Sequence, residues 1–131
     1  MKAAHIQLGI DGELLAVNFL KEKGYQILQQ NWRASHAEID IIAQIGNDLV
    51  FVEVKTRSSN LIFPEKAVTK AKQKLLVKAA NSYCDEFKIT SEIRFDIIAI
   101  IQAKNKALEI EHFEDAFFPY DDNYSIDFDT D

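Results

Sequence analysis

A chain of 131 residues, 47% hydrophobic and 27% charged, has the length and composition of a single globular domain. Its one cysteine, Cys84, excludes an internal disulfide and argues against a thiolate metal cluster. The formal charge of −6 is unevenly spread: residues 1–106 carry all 15 Lys and Arg against 12 acidic residues, and residues 107–131 carry 9 acidic residues with no Lys or Arg, so a mildly basic body suited to polyanions precedes an acidic end.

Residues 9–23 form the first expected helix, with Ile10, Leu14, Val17 and Leu20 on one stripe and Gly24 as its stop. Glu13 falls on that stripe. It reads either as a first-turn acid favoured by the helix dipole or as a carboxylate aimed inward at a site. Residues 25–34 form the first strand. Trp32 and Arg33 near its end suit stacking on and gripping nucleic acid, or equally a core tryptophan beside a surface arginine.

Two alternating strands follow, at 37–45 and 49–57. On the first, Glu38 and Asp40 share a face opposite Ile39 and Ile41. On the second, Phe51, Glu53, Lys55 and Arg57 share a face opposite Val50, Val52 and Val54. A Gly46-Asn47 turn pairs Ile45 with Asp48, which sets Asp40 across from Glu53 and Glu38 across from Lys55. A turn at Asn47-Asp48 sets Asp40 across from Lys55 instead.

Pro64 suits the first turn of a helix running to about Phe87. Lys66, Lys70, Lys74 and Lys78 make a basic ridge along it, either a solvated face or a contact for a phosphate backbone. Val68, Ala71, Leu75, Leu76 and Ala79 take the opposite sector. Lys72 projects from that apolar sector and either snorkels to water or reaches the carboxylate strands. Gln73, at the sector border, has the same two options. Residues 92–101 end in a run apolar on both faces, as a central strand requires. Residues 107–113 form the last strand. The order α-β-β-β-α-β-β describes a mixed α/β sheet flanked by helices. The expected division is a domain over 1–113 and an acidic tail over 114–131. With Phe113, the tail holds six of the 14 aromatics. It either docks in part and solvates, or folds over the basic groove.

Two carboxylates facing each other across a sheet have Cβ atoms roughly 5 Å apart and repel. A divalent cation between Asp40 and Glu53 removes the conflict, and oxygen-only ligands suit Mg²⁺ or Mn²⁺. Lys55 lies beside that position, placed to stabilise an anion or help activate water. His5, His36 and His112 are scattered without ligand spacing and read as surface residues. Only four glycines are present and none form a phosphate loop, so nucleotide-dependent phosphotransfer is not expected. No apolar run approaches the ~20 residues that span a bilayer. The N-terminus lacks a secretory pattern. A cytoplasmic location without a membrane partner is therefore expected.

Gly12-Glu13, Asn31-Trp32-Arg33, Glu38-Ile39-Asp40-Ile41-Ile42-Ala43, Val50-Phe51-Val52-Glu53-Val54-Lys55-Thr56-Arg57, Lys72-Gln73 and Arg94-Phe95-Asp96 together resemble the YraN-like family of small bacterial proteins. That family is similar to archaeal Holliday-junction resolvases and sits with the restriction-endonuclease-like nucleases. The resemblance covers roughly residues 8–101. It implies a PD-(D/E)xK-type core, an αβββαβ unit, in which Asp40 and Glu53 bind metal and Lys55 acts near the attacking water. Glu13 matches the helix carboxylate that completes the metal site in resolvase-like members, and Gln73 matches a polar helix residue that touches it. Ala37 stands where the family usually has glycine, and residues 58–65 lack the usual loop glycine. Resolvase-like nucleases are often dimers, so a homodimer is in keeping with the resemblance.

The combined expectation is a Mg²⁺- or Mn²⁺-dependent, structure-selective DNA endonuclease acting on branched or duplex DNA. Asp40, Glu53, Lys55 and Glu13 are its catalytic residues, and Arg33, Arg57, Lys72 and Gln73 meet the nucleic acid. The alternative is a non-catalytic nucleic-acid-binding or adaptor module that keeps a nuclease fold.

Overall fold

A computed structural model describes residues 2–34, 36–58 and 68–117. Helix α1 spans Lys2–Glu22 and starts seven residues earlier than expected. It ends as the sequence indicates. Gly24 takes a φ of 93°. The Gly24 N–H donates to the Lys21 carbonyl and the Tyr25 N–H to the Leu20 carbonyl, which is a Schellman cap. The buried side of α1 is Gly12, Ala16, Val17 and Leu20, with Glu13 partly covered beside it, whereas Leu14 is exposed. Val17 and Leu20 of the expected stripe are therefore buried and Leu14 is not, while the side chain of Ile10 lies outside the described residues; the helix is under way well before Glu13, so the inward-facing reading of Glu13 is the one that fits.

Five strands form one sheet in the order β1-β2-β3-β4-β5. They are β1 (Gln26–Ala34), β2 (Ala37–Ile45), β3 (Asp48–Arg57), β4 (Glu92–Ile101) and β5 (Glu109–Phe117). The β2–β3 hairpin takes the Gly46-Asn47 register, pairing Ile45 with Asp48 and Ile41 with Val52. Gly46 has a φ of 56°, the conformation that the first position of this turn demands and that glycine accepts without strain. Strands β3 and β4 run parallel, and β5 returns antiparallel to β4.

The β3–β4 crossover passes through helix α2, Lys70–Phe87. Thr69 caps it, its hydroxyl accepting from the Lys72 N–H at 3.1 Å. The helix therefore begins six residues after Pro64, which lies outside the described residues, as does Lys66. The core-facing residues of α2 are Gln73, Leu76, Ala79, Ala80 and Tyr83, while Ala71 and Leu75 point outward. Lys70, Lys74 and Lys78 are exposed, as a ridge requires.

The helices cover opposite faces of the sheet. On the α1 side, Ala16, Val17 and Leu20 pack with Ile41, Val50, Val52, Ile98 and Ile100. On the α2 side, Leu76, Ala80 and Tyr83 pack with Ile42, Leu49, Phe51, Phe95 and Ile97. The second half of β4, residues 97–101, is thus apolar on both faces because both are covered. Each fully buried aliphatic or aromatic side chain there contributes roughly 1.5–3 kcal/mol. Strand β5 extends four residues past the expected end at 113, and Phe117 stacks on Phe95 with ring centroids 4.9 Å apart. The sheet thereby takes in residues 114–117, and the rest of the acidic end lies outside the described residues. Among the described residues no helix is long and apolar enough to cross a membrane.

Simple alternation fails at one place in β2. Ile39 packs on the α2 side and Ile41 on the α1 side, so they do not share a face. Both ladders are interrupted between them. The β2–β3 pairing stops at Ile41 and Val52, and on the β1 side Asn31, which would lie across from Asp40, has a left-handed φ of 53°. The strand twists at Asp40, and the acidic site lies at this twist.

Candidate functional site

The site lies where β2 and β3 separate. Continuing the hairpin register beyond its last pair sets Asp40 across from Glu53. Asp40 fills the break with its side chain: the Val54 N–H donates to Asp40 Oδ2 at 2.8 Å, where a strand carbonyl would otherwise stand. Burial, reinforced by the neighbouring Glu53 charge, holds the Asp40 carboxyl at about 7, far above its ordinary 3.8. Glu53 is 6% exposed. Its Oε2 meets two lysines, Lys55 Nζ at 3.3 Å from the same strand and Lys72 Nζ at 3.6 Å from the first turn of α2. Its Oε1 is buried without a hydrogen-bond partner among the described residues. Leaving such an oxygen unsatisfied costs about 1–3 kcal/mol or more. Few sites keep such an atom without a use.

Glu13 reaches the same region from α1. Its carboxyl is also pushed up, first by burial and then by Glu38, with Glu53 adding to the effect. With the Asn31 amide turned to donate, its nitrogen lies 3.1 Å from Glu13 Oε1 and 2.9 Å from Glu38 Oε2. Glu38 also pairs with Arg33 at 3.2 Å, so Lys55 is left to Glu53 rather than to the cross-strand Glu38.

Of the expected site residues, the structure brings Asp40, Glu53, Lys55, Glu13 and Lys72 together. Lys72 takes the site-reaching option. Gln73 is buried beside it and donates to the Val68 carbonyl at 3.0 Å, which steadies the entrance to α2. Arg57 is exposed and donates to the Thr56 carbonyl, away from the acids. Trp32 is a packing residue: it meets Tyr83 edge-to-face at 5.2 Å against the α2-side core. Asn31 was missed as a site residue. Its signal was an asparagine inside an alternating strand, a residue type that tolerates the left-handed region.

The residues present suit a hard cation in a particular way. Among the described residues no three His, Cys, Asp or Glu side chains gather closely enough to enclose an ion by themselves. Mg²⁺ is commonly held by one or two carboxylates plus water. Asp40 and Glu53 offer two neighbouring carboxylates, one pushed up by burial and the other with an orphaned oxygen.

A second polar cluster is structural. Asp96 is fully buried in β4 and receives Arg94 through two bonds of 2.9 Å, His112 Nε2 at 2.7 Å and the Asp115 N–H at 3.1 Å. Burial acts to raise its carboxyl, but the bonds from His112 and Arg94 outweigh it and hold the group below its usual range. Lys23 Nζ lies 2.7 Å from His112 Nδ1. An ammonium only donates, so Nδ1 accepts and Nε2 carries the proton given to Asp96. His112 is therefore not the surface residue expected from its isolation in sequence. Its side chain is 3% exposed and ties β5 to α1 and the core.

The geometry defines a small α/β protein with an αβββαβ core to which β5 adds an edge strand. Opposed acids and an adjacent lysine sit at a strand fork. The model of the uncharacterised protein family UPF0102 matches residues 12–100. A UPF0102 protein of Flavobacterium psychrophilum is 54% identical over 119 residues, covering 90% of this chain and 99% of the relative. One of Bacteroides thetaiotaomicron is 48% identical over 118 residues, covering 89% and 97%, and one of Thermodesulfovibrio yellowstonii is 47% identical over 116 residues, covering 88% and 99%. The chain belongs to the UPF0102 family, the YraN-like family that its motifs resemble.

Proposed function

We propose that this protein is a Mg²⁺- or Mn²⁺-dependent DNA endonuclease of resolvase-like selectivity, acting in the cytoplasm on branched or duplex DNA. The observation that carries the reading is the Asp40–Glu53 pair, with one carboxyl held near 7 and the other keeping a buried, unpartnered oxygen. Asp40 and Glu53 would hold the ion, with Glu13 alongside. Bound there, a divalent cation lowers the pKa of a coordinated water and neutralises charge on a phosphodiester. Lys55 keeps an ammonium at the edge of the pair, where it orients the attacking water and offsets developing negative charge. Lys72 is the second cation at Glu53 and turns to the scissile phosphate once its carboxylate is engaged elsewhere. Arg33, Arg57 and the exposed lysines of α2 make sequence-independent backbone contacts, which leaves selectivity to DNA shape.

The test uses Mg²⁺-dependent cleavage of four-way junction, flap, single-stranded and duplex DNA. Asp40→Ala and Glu53→Ala should abolish cleavage while the protein stays folded. Wild-type protein inert on every substrate, and unresponsive to Mn²⁺ in thermal unfolding, overturns the reading. A second reading, a nucleic-acid-binding or adaptor module, draws on the two lysines already seated on Glu53. It expects salt-sensitive DNA binding that Asp40→Asn leaves unchanged.

A further inference from the structure

Asn31 combines two features that a surface strand residue does not need together. Its backbone takes a left-handed φ of 53° in the middle of β1. Its side-chain amide faces two carboxylates from different elements, Glu13 of α1 at 3.1 Å and Glu38 of β2 at 2.9 Å. The left-handed kink falls at the point of β1 that lies across from Asp40, where β2 twists. An extended residue here would point its side chain above or below the sheet by strict alternation. The kink instead brings the amide between α1 and β2. An amide nitrogen has two protons to give, so one asparagine can serve both acids at once.

A neutral double donor is also the chemistry the site requires. A cation in this place would pair with Glu13 and compete with a metal ion for it. An amide fixes Glu13 Oε1 while leaving the charge of the carboxylate, and its Oε2, for another partner. The nearby buried oxygen of Glu53 is in the opposite condition, without a donor.

We propose that Asn31 is a positioning residue of the acidic site: through its kinked backbone and its amide it holds Glu13 in place alongside the Asp40–Glu53 pair. The inference rests on the metal reading above for its function, but the hydrogen bond it invokes exists without metal.

The test takes the full chain and its Asn31→Gly and Asn31→Asp variants. Glycine accepts a left-handed φ at least as well as asparagine, so a purely structural role predicts unchanged or improved stability and unchanged metal binding. A positioning role predicts that Asn31→Gly folds normally yet binds Mn²⁺ about tenfold more weakly by calorimetry, the lower end of what loss of a ligand's hydrogen-bond partner costs. Asn31→Asp keeps the shape but gives no donor, so it should not restore binding. In metal-free protein, the Asn31 side-chain amide resonances should shift toward those of a solvated amide in Glu13→Ala. Wild-type Mn²⁺ affinity in Asn31→Gly, or amide resonances indifferent to Glu13→Ala, overturns the proposal. Should wild-type protein bind no Mn²⁺ at all, the metal reading falls, and the amide resonances alone decide whether Asn31 holds Glu13.

Discussion

Asp40→Asn should stabilise the metal-free protein at pH 8 while removing its response to metal. In the wild type, burial and the Glu53 charge hold the Asp40 carboxyl at about 7 against an ordinary 3.8. Between those values the folded state keeps a proton that the unfolded chain has released. Stability therefore falls as pH rises. The contribution is complete below the unfolded value and is lost as pH climbs through 7. A gap of about three pH units, at 1.36 kcal/mol each, corresponds to about 4 kcal/mol. Asparagine removes the charge and keeps an oxygen for the Val54 N–H. Lys55 and Lys72 already offset part of the Glu53 charge that reinforces the effect, so the realised gain at pH 8 is about 2–4 kcal/mol and shrinks toward zero at pH 4. Urea unfolding in EDTA across pH 4–8 measures it directly. Mn²⁺ at 100 times its dissociation constant should add about 2.7 kcal/mol to the wild type and nothing to the variant. A variant no more stable than wild type at pH 8, or one whose advantage is the same at pH 4, refutes the claim that burial and the Glu53 charge disfavour an ionised Asp40 in the fold.

Other perturbations probe how the scaffold holds the site. A Cβ on Gly12 would stand 2.8 Å from Thr56 Oγ1, so Gly12→Ala should cost about 1–3 kcal/mol in urea unfolding despite alanine's better helix propensity, and adding Thr56→Ala should recover most of it. Asp96→Ala leaves the partly buried Arg94 and the His112 ring facing each other without their anion; a loss of about 3–5 kcal/mol is expected, and a loss under about 1 kcal/mol would mean the cluster adds little. Because the fold holds Asp96 below its usual range, its stabilisation is present above the unfolded value near 3.8 and disappears as pH drops through the folded one, so Asp96→Asn should flatten the acid limb of the wild-type stability curve. Thr69→Ala removes the cap of α2 and should cost about 1 kcal/mol. Through the shift of Lys72 it should also change the salt dependence of DNA binding if that lysine meets phosphate.

The elements that local chemistry determines were readable in advance. The Gly46-Asn47 turn follows from glycine's freedom at positive φ, and it fixes the register that, continued past its last pair, sets Asp40 across from Glu53. The second half of β4 follows from the apolar run at residues 97–101. Lys72 stood out because a lysine in an apolar sector needs an anion or water, and Glu53 supplies the anion. What failed depended on distant partners. Strict period-2 reasoning put Ile39 and Ile41 on one face, whereas the kink at Asn31 and the side-chain bond of Asp40 turn the strand over between them. On α1 the periodicity places Val17 and Leu20 in the core but also Leu14, which is exposed, while Gly12, a poor helix former, permits the close approach to β3. His112 gave no local sign of burial, since Asp96 and Lys23, its partners, lie 16 and 89 residues away.

Strand β1 is an outer strand of the sheet, paired on one side only among the described residues. An uncovered strand edge is a template on which foreign chains add and fibres grow. Here the ladder to β2 slips between Ile27 and Gln29 and kinks again at Asn31, so β1 offers no long regular stretch to an incoming strand. The irregularity that turns an amide toward the acids therefore also protects the molecule against self-templating. Straightening β1 would put both solubility and the acidic site at risk.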